Sequence, residues 1–155
     1  MDVLVYVAIS VGILSGVWAW MAAVFGMVSW TGFVGWTSYY SSGGMAKGLF
    51  RSICSNATGI IYALLIIKGS SILPNEYWSY FLTAFFSFVM VIQAKLKKFE
   101  FISGAFCGCF STFGLNGNWQ AVIPALLCGN ILGYASQKIG IFCHKVFSKN
   151  FKDGK

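Results

Sequence analysis

"CSNATGIIYALLII", residues 54–67, sets an amide side chain, Asn56, into an otherwise apolar run. "CGNILG", residues 128–133, repeats its spacing of Cys, x, Asn, x, x, Gly near the other end of the chain. The meaning of the asparagine depends on the solvent around the run. The 155 residues are 57% hydrophobic, 18% aromatic and only 10% charged, with mean hydropathy +0.73, whereas a soluble domain carries roughly a quarter charged residues. The chain therefore reads as an integral membrane protein, and Asn56 as a polar group carried inside a membrane helix.

Working outward, polar and Gly/Pro breaks separate six apolar segments: about 3–25, 27–42, 47–67, 77–94, 100–115 and 120–142. A crossing takes roughly 20 residues, so six crossings with tight loops use nearly the whole chain and leave no separate soluble domain. The N-terminal run has Asp2 where a secretory signal has positive charge, and it is longer than a signal's apolar region. It is expected to be a retained helix. The second and fifth segments are short and rich in Gly, Ser and Thr, so both full crossings and re-entrant half-spans are considered.

Charge placement favours six crossings. With a cytoplasmic N-terminus, one side receives Lys47, Arg51, Lys95, Lys97, Lys98, Lys138, Lys145, Lys149, Lys152 and Lys155, while the other receives only Lys68. Re-entrant second and fifth segments would move Lys47, Arg51 and "KLKK" (95–98) outward and weaken that bias. The net charge of +7 is thus assigned to membrane orientation, with both termini cytoplasmic, and not to nucleic acid.

An internal repeat extends the opening motif. A shift of 73 sets Phe33 on Phe106, Gly35 on Gly108, Ser38 on Ser111, Tyr40 on Phe113 and Gly44 on Gly117; one further residue sets Cys54, Asn56 and Gly59 on Cys128, Asn130 and Gly133. Three crossings per unit force the second copy to enter the membrane upside down. Lys47 and Arg51 fall opposite uncharged positions around 120–125, as expected of a loop moved to the outer side. The expected architecture is an all-α membrane domain of six short transmembrane helices as two inverted-topology three-helix repeats. Repeat one is about 3–67, the connector "KGSSILPNE" is 68–76, repeat two is about 77–142, and a basic cytoplasmic tail is 143–155.

Helical spacing puts Ser52, Asn56, Gly59 and Ala63 on one face of the third segment, and Asn130, Gly133, Gln137 and Gly140 on one face of the sixth. Such faces serve either packing, with Asn bonded to a neighbouring helix, or a polar path at the repeat interface. The expected path uses Asn56 and Asn130 to hydrogen-bond a dehydrated solute, with Ser38, Ser111 and Thr112 assisting. Phe33, Phe106 and Phe113 are expected to narrow it, beside Gly59 and Gly133. Trp78, Trp119 and Tyr77, near span ends, read as interface aromatics. The patterns "GILSG" (12–16) and "GAFCG" (104–108) allow close helix approach and make a homo-oligomer an expectation.

All four acidic residues, Asp2, Glu76, Glu100 and Asp153, lie at or beyond span ends, and the sole histidine is His144. No acid/base pair, supported nucleophile or metal cluster emerges, and "CGC" (107–109) lacks zinc spacing. The five cysteines, odd in number and set in or beside apolar runs, read as packing residues. No enzyme activity, cofactor or metal is expected; the expected partners are lipid, a small-molecule solute and further copies of the chain.

The segments "GLFRSICSNATGIIYALL" (48–65) and "GAFCGCFSTFG…NW…IPALLCGNILGY" (104–134) resemble the domain-of-unknown-function 1097 family of small bacterial inner-membrane proteins, over nearly the whole chain. The resemblance implies a multi-span bacterial inner-membrane protein and brings no catalytic motif or substrate. The leading functional expectation is a passive channel or facilitator for a small neutral or weakly charged solute: urea, ammonia, a short amide or a weak acid. A non-transporting assembly or scaffold component is the competing class, and a two-state secondary transporter a third. A continuous polar path through one subunit favours the channel; a sealed core favours the scaffold.

Overall fold

The computed structural model describes residues 2–73, 75 and 77–153, with side chains through Phe147. Pro74 and Glu76 of the connector, the side chains of Lys149, Lys152 and Asp153, and Lys155 lie outside the described residues. Among the described residues there are six α-helices: α1 (Val3–Val24), α2 (Ser29–Ser41), α3 (Met45–Ile72), α4 (Tyr77–Ile92), α5 (Ile102–Gly114) and α6 (Trp119–Asp153). A 3₁₀ turn, Gln93–Lys95, extends α4. Among the described residues, Val3–Val24, Met45–Ile72 and Tyr77–Lys95 are long and apolar enough to cross a membrane, while Ile102–Gly114 is apolar but short.

The helix ends shift two sequence boundaries. α3 continues to Ile72 through part of the segment expected to be a connector, with Gly69 letting Leu82 of α4 pack against it and Ser71 Oγ donating to the Lys68 carbonyl. α6 stays helical to Asp153, well into the expected tail, because no Gly or Pro interrupts 141–153. The helices α2 and α5 have 13 residues each, about 20 Å of rise against about 30 Å of hydrocarbon. Around α2 the irregular backbone is internally bonded, with Met27 N–H donating to Ala22 and Gly32 N–H to Val28, as a low-dielectric surrounding demands.

Contacts fix the direction of each helix. Tyr6 packs on His144 and Phe147, and Ser10 Oγ donates to the Ser136 carbonyl at 2.6 Å, so α1 starts beside the end of α6. At its far end Trp18 lies on Gly32 and donates to Ser29. α2 returns, bringing Tyr39 to Gln137, and Gln137 also accepts from Met45 N–H at 2.8 Å. α3 runs out again, ending with Leu64 and Ile67 near Gly117. α4 comes back to set Gln93 on Thr58 and Tyr62, and α5 leaves from Glu100, paired with Arg51, toward Trp30. The helices therefore alternate up and down, and the first and last share one end of the bundle with Lys47, Arg51 and the 95–98 lysines. Lys68 stands at the opposite end.

α1 and α4 are peripheral, burying only Ser10, Trp18 and Ala22, and Met90, respectively. The inner four helices pack as α3 on α5 and α2 on α6, with α3 crossing α6; α1 flanks α6 and α4 flanks α3. Exchanging α1 with α4, α2 with α5 and α3 with α6 maps this set of packings onto itself. The turns after α2 and α5 match as well: Gly43 and Gly44 have φ of 96° and 68°, Asn116 and Gly117 of 50° and 80°, a left-handed conformation that favours Gly and Asn.

Backbone contact without side chains between is what glycine provides in the inner layer. A Cβ at Gly59 would overlap the Ala105 carbonyl, and one at Gly129 the Gly32 carbonyl; Gly108 meets the Asn56 carbonyl and Gly35 that of Leu126. These contacts pair Gly59 with Gly129 and Asn56 with Leu126, a shift of 70 instead of the 74 read from the motif. α6 is thus seated on α2 about one helical turn away from where α3 sits on α5. The expected equivalence of Gly59 with Gly133 does not hold in packing: Gly133 faces the rings of Tyr39 and Trp36, not a backbone.

Candidate functional site

Asn56 and Asn130 meet where α3 crosses α6. Asn56 stands eleven residues after Met45 and Asn130 eleven after Trp119, each about 17 Å of helix from opposite ends of the bundle. The pair therefore lies at mid-depth. Both are buried, at 3% and 0% exposure, so their hydrogen bonds must be found within the protein.

The network assigns the orientation of the Asn56 amide. Its Nδ2 faces the Ser52 carbonyl at 3.2 Å, the Gly104 carbonyl at 2.9 Å and Ser38 Oγ at 2.8 Å, while Oδ1 accepts from Asn130 Nδ2 at 2.9 Å. Ser38 Oγ is 2.6 Å from Ser52 Oγ, and Asn130 Nδ2 also donates to the Leu126 carbonyl at 2.8 Å. One node thereby ties together α2, α3, α5 and α6. It leaves Asn130 Oδ1 without a partner.

The other polar residues expected on the path are gathered nearby but not in one chain of bonds. Ser111 is fully buried with Oγ unpaired, and Thr112 Oγ1 donates back to the Gly108 carbonyl at 2.8 Å. Gly59 and Gly133 are buried at helix contacts. Phe33, Phe106 and Phe113 lie elsewhere: at 40%, 40% and 39% exposure they sit on the outer surface of the subunit. The expected constriction is therefore not formed by these rings within one subunit. The reason is helical phase: in α2 and α5 the inward positions are taken by Gly35, Ser38 and Gly108, Ser111, and the phenyl rings fall on the other face.

An apolar cleft of about 360 Å³ lies beside the node, between α3 and α6, with Asn56 and Asn130 among its lining residues. Its walls include Ile60, Leu64, Ile123 and Leu126. Sequence reading missed this cleft, since it is formed by side chains of two helices far apart in the chain and not by a motif. It missed two polar clusters as well. Tyr39, Gln137 and Met45 N–H close the basic end, and Gln93, Thr58 and Tyr62 join α4 to α3. Gln137 was visible on the small and polar face of the sixth segment; Gln93 had no periodic signal because it lies in the 3₁₀ turn.

The two Gly-xxx-Gly patterns part company. Gly104 and Gly108 are consumed inside the subunit against Phe101, Ser55 and Asn56, whereas Gly12 and Gly16 have open space before them. Trp78, Trp119 and Tyr77 are exposed at helix ends, where interface aromatics reside. All five cysteines are free.

Comparison with known proteins supplies the family. The model of the family described as "Protein of unknown function (DUF1097)" matches residues 8–141. The chain is 43% identical over 145 residues to inner membrane protein YcdZ of Salmonella typhimurium strain LT2, covering 92% of this chain and 90% of that protein. It is 41% identical to inner membrane protein YcdZ of Escherichia coli strain K12, covering 92% and 88%, and 28% identical to the uncharacterized protein YahC of the same strain, covering 88% and 90%. No solved structure matches. Both the match over 8–141 and the high identity across most of each chain meet on the six-helix region just described, and the chain belongs to the DUF1097 family.

Proposed function

We propose that this protein is a gated facilitator in the bacterial inner membrane, passing a small neutral or weakly charged solute at the Asn56–Asn130 crossing, without an enzymatic step, cofactor or metal. The location is supported by relatives named inner membrane proteins and by the apolar helices. The architecture behind this reading is six crossings as two inverted three-helix repeats with both termini cytoplasmic. It draws support from the alternating helix directions, the packings that exchange between halves, and the lysines gathered at the end shared by α1 and α6.

The observation that carries the reading is the amide pair at mid-depth, joined across four helices with one acceptor left unpaired. Buried polar groups in a membrane protein are expensive unless partnered, and an unpaired one at a pseudo-symmetric helix crossing is where a solute would complete the set. In the present conformation the node is closed, with Ser38, Ser111, Thr112 and both asparagines buried. Passage requires α3 and α6 to part.

That closure is also the specific observation favouring the second reading, a scaffold whose amides serve helix packing alone. Permeation separates the two. Purified protein in liposomes is challenged with urea, ammonia, formamide, glycerol, formate and acetate, and light scattering follows the volume change for wild type and the Asn56→Leu/Asn130→Leu variant. Flux of a solute that disappears in a folded double variant supports the facilitator. Rates equal to empty liposomes across the panel, from folded wild-type protein, would sink the facilitator for these solutes and favour the scaffold.

A further inference from the structure

We infer that the cleft between α3 and α6 is a binding site for a small neutral molecule with an apolar body and a single O–H or N–H donor, a monohydric alcohol or phenol in class, entering sideways from the bilayer. The inference deepens the facilitator reading by naming the route and solute class at the same asparagine pair, and rests on that reading for the role of the pair.

Three features of the cleft converge. Its volume, about 360 Å³, is at the small end of ligand pockets, roughly 300–1,000 Å³. Its rim is open to the outside of the bundle, since Ala57, Ile61, Trp119 and Leu127 are exposed there while Ile60 and Leu126 are buried deeper. A molecule leaving lipid therefore meets hydrocarbon walls without first crossing water. This apolar lining disfavours urea-like solutes, which carry too many polar groups to be matched.

The floor decides the polar end of the ligand. Both hydrogens of Asn130 Nδ2 are engaged, by Leu126 O and Asn56 Oδ1, so the pair has no spare donor on this residue. What is spare is an acceptor, Asn130 Oδ1, buried on a residue of 0% exposure. The χ2 torsion of asparagine is soft, so the amide, on a residue that lines the cleft, turns Oδ1 toward a donor seated there and exchanges one Nδ2 bond for the new one without displacing a helix. An acceptor-only ligand of the same shape leaves that oxygen unpaired and sets a second oxygen against it. Selection for a donor is thus built into the floor, and selection for an apolar body into the walls.

The test compares 4-fluorophenol with 4-fluoroanisole, near-equal in shape but differing in the donor, by fluorine NMR on the full chain in nanodiscs, with empty nanodiscs measuring lipid partition. The expected result is saturable 4-fluorophenol binding about tenfold or more tighter than 4-fluoroanisole, the scale set by leaving a buried acceptor unpaired. Asn130→Leu should abolish the preference. Ala57→Phe, which fills the cleft from an exposed rim position outside the node, should abolish binding and keeps the proposal testable if Asn130→Leu does not fold. Absence of saturable binding, equal affinity for the two probes, or binding untouched by Ala57→Phe overturns the site; equal affinity identifies a seat for acyl chains only. Binding with no flux of 4-fluorophenol or of the solute panel retains the site and removes the facilitator, whereas flux without binding does the reverse.

Discussion

Asn56 Nδ2 and Oδ1 reach partners on α2, α5 and α6, while Asn130 bonds only to Asn56 and its own helix. Removing Asn56 takes an amide donor from the Gly104 carbonyl and from the Ser38 hydroxyl, which keeps Ser52 Oγ as a partner; removing Asn130 strands one amide oxygen and takes away an acceptor that was already unpaired. With interhelical bonds in membranes contributing about 0.6 to 2 kcal/mol, Asn56→Leu is expected to destabilise the protein by roughly 1 to 2 kcal/mol more than Asn130→Leu. Reversible unfolding in mixed micelles measures the difference, and equal losses would mean that the node is not wired as described. The sequence marked both asparagines through their repeated spacing, but their inequality was not legible in it, because it depends on which carbonyl happens to face each amide.

Glycine positions test how the elements are seated. Gly59 and Gly129 each press on a neighbouring backbone carbonyl, 1.8 Å from where a Cβ would stand, whereas Gly133 faces the buried rings of Tyr39 and Trp36, the nearest atom 2.7 Å away. Gly59→Ala and Gly129→Ala are therefore expected to cost about 1 to 3 kcal/mol each, and Gly133→Ala distinctly less, in the same unfolding assay. A greater loss at Gly133 than at Gly129 would restore the motif-based alignment and remove the one-turn offset of α6. Gly12→Ala on open α1 should leave the isolated subunit at least as stable, since Ala is the better helix former by about 1 kcal/mol. The element count and approximate bounds could be read from hydropathy, because each apolar run ends at a polar or Gly-rich break. The inward face of α2 and α5 could not be anticipated so simply: large rings and small residues are interleaved there, and reading the rings as the narrow point of a path drew Phe33, Phe106 and Phe113 inward when glycine contact places Gly35 and Gly108 there instead.

At the scale of the whole molecule, the packing fixes which ends lie together, and the charge is expected to decide which side they face. Tyr6 against His144 and Phe147, and Arg51 against Glu100, bring the start of α1, the end of α6 and the α2–α3 and α4–α5 links to one end. The Arg51–Glu100 pair is partly exposed, at 29% and 37%, so its contribution to stability is expected to be about 0 to 1 kcal/mol, and the larger influence of Arg51 is expected on insertion. A charge-based orientation predicts that both termini are cytoplasmic and that Asn75, beyond α3, is outside. A single cysteine at Asn75 in an otherwise cysteine-free variant should react with an impermeant maleimide in intact cells, and one at Asp2 only after lysis. Neutralising Lys47, Arg51, Lys95, Lys97 and Lys98 together while adding lysines beside Asn118 should produce a population with the labelling pattern reversed, because the proposed six crossings with near-matched halves would have no other strong determinant of direction. If the pattern stays fixed despite that exchange of charge, orientation is set by the helices themselves, and the near-symmetry of the two halves is less complete than their packing indicates.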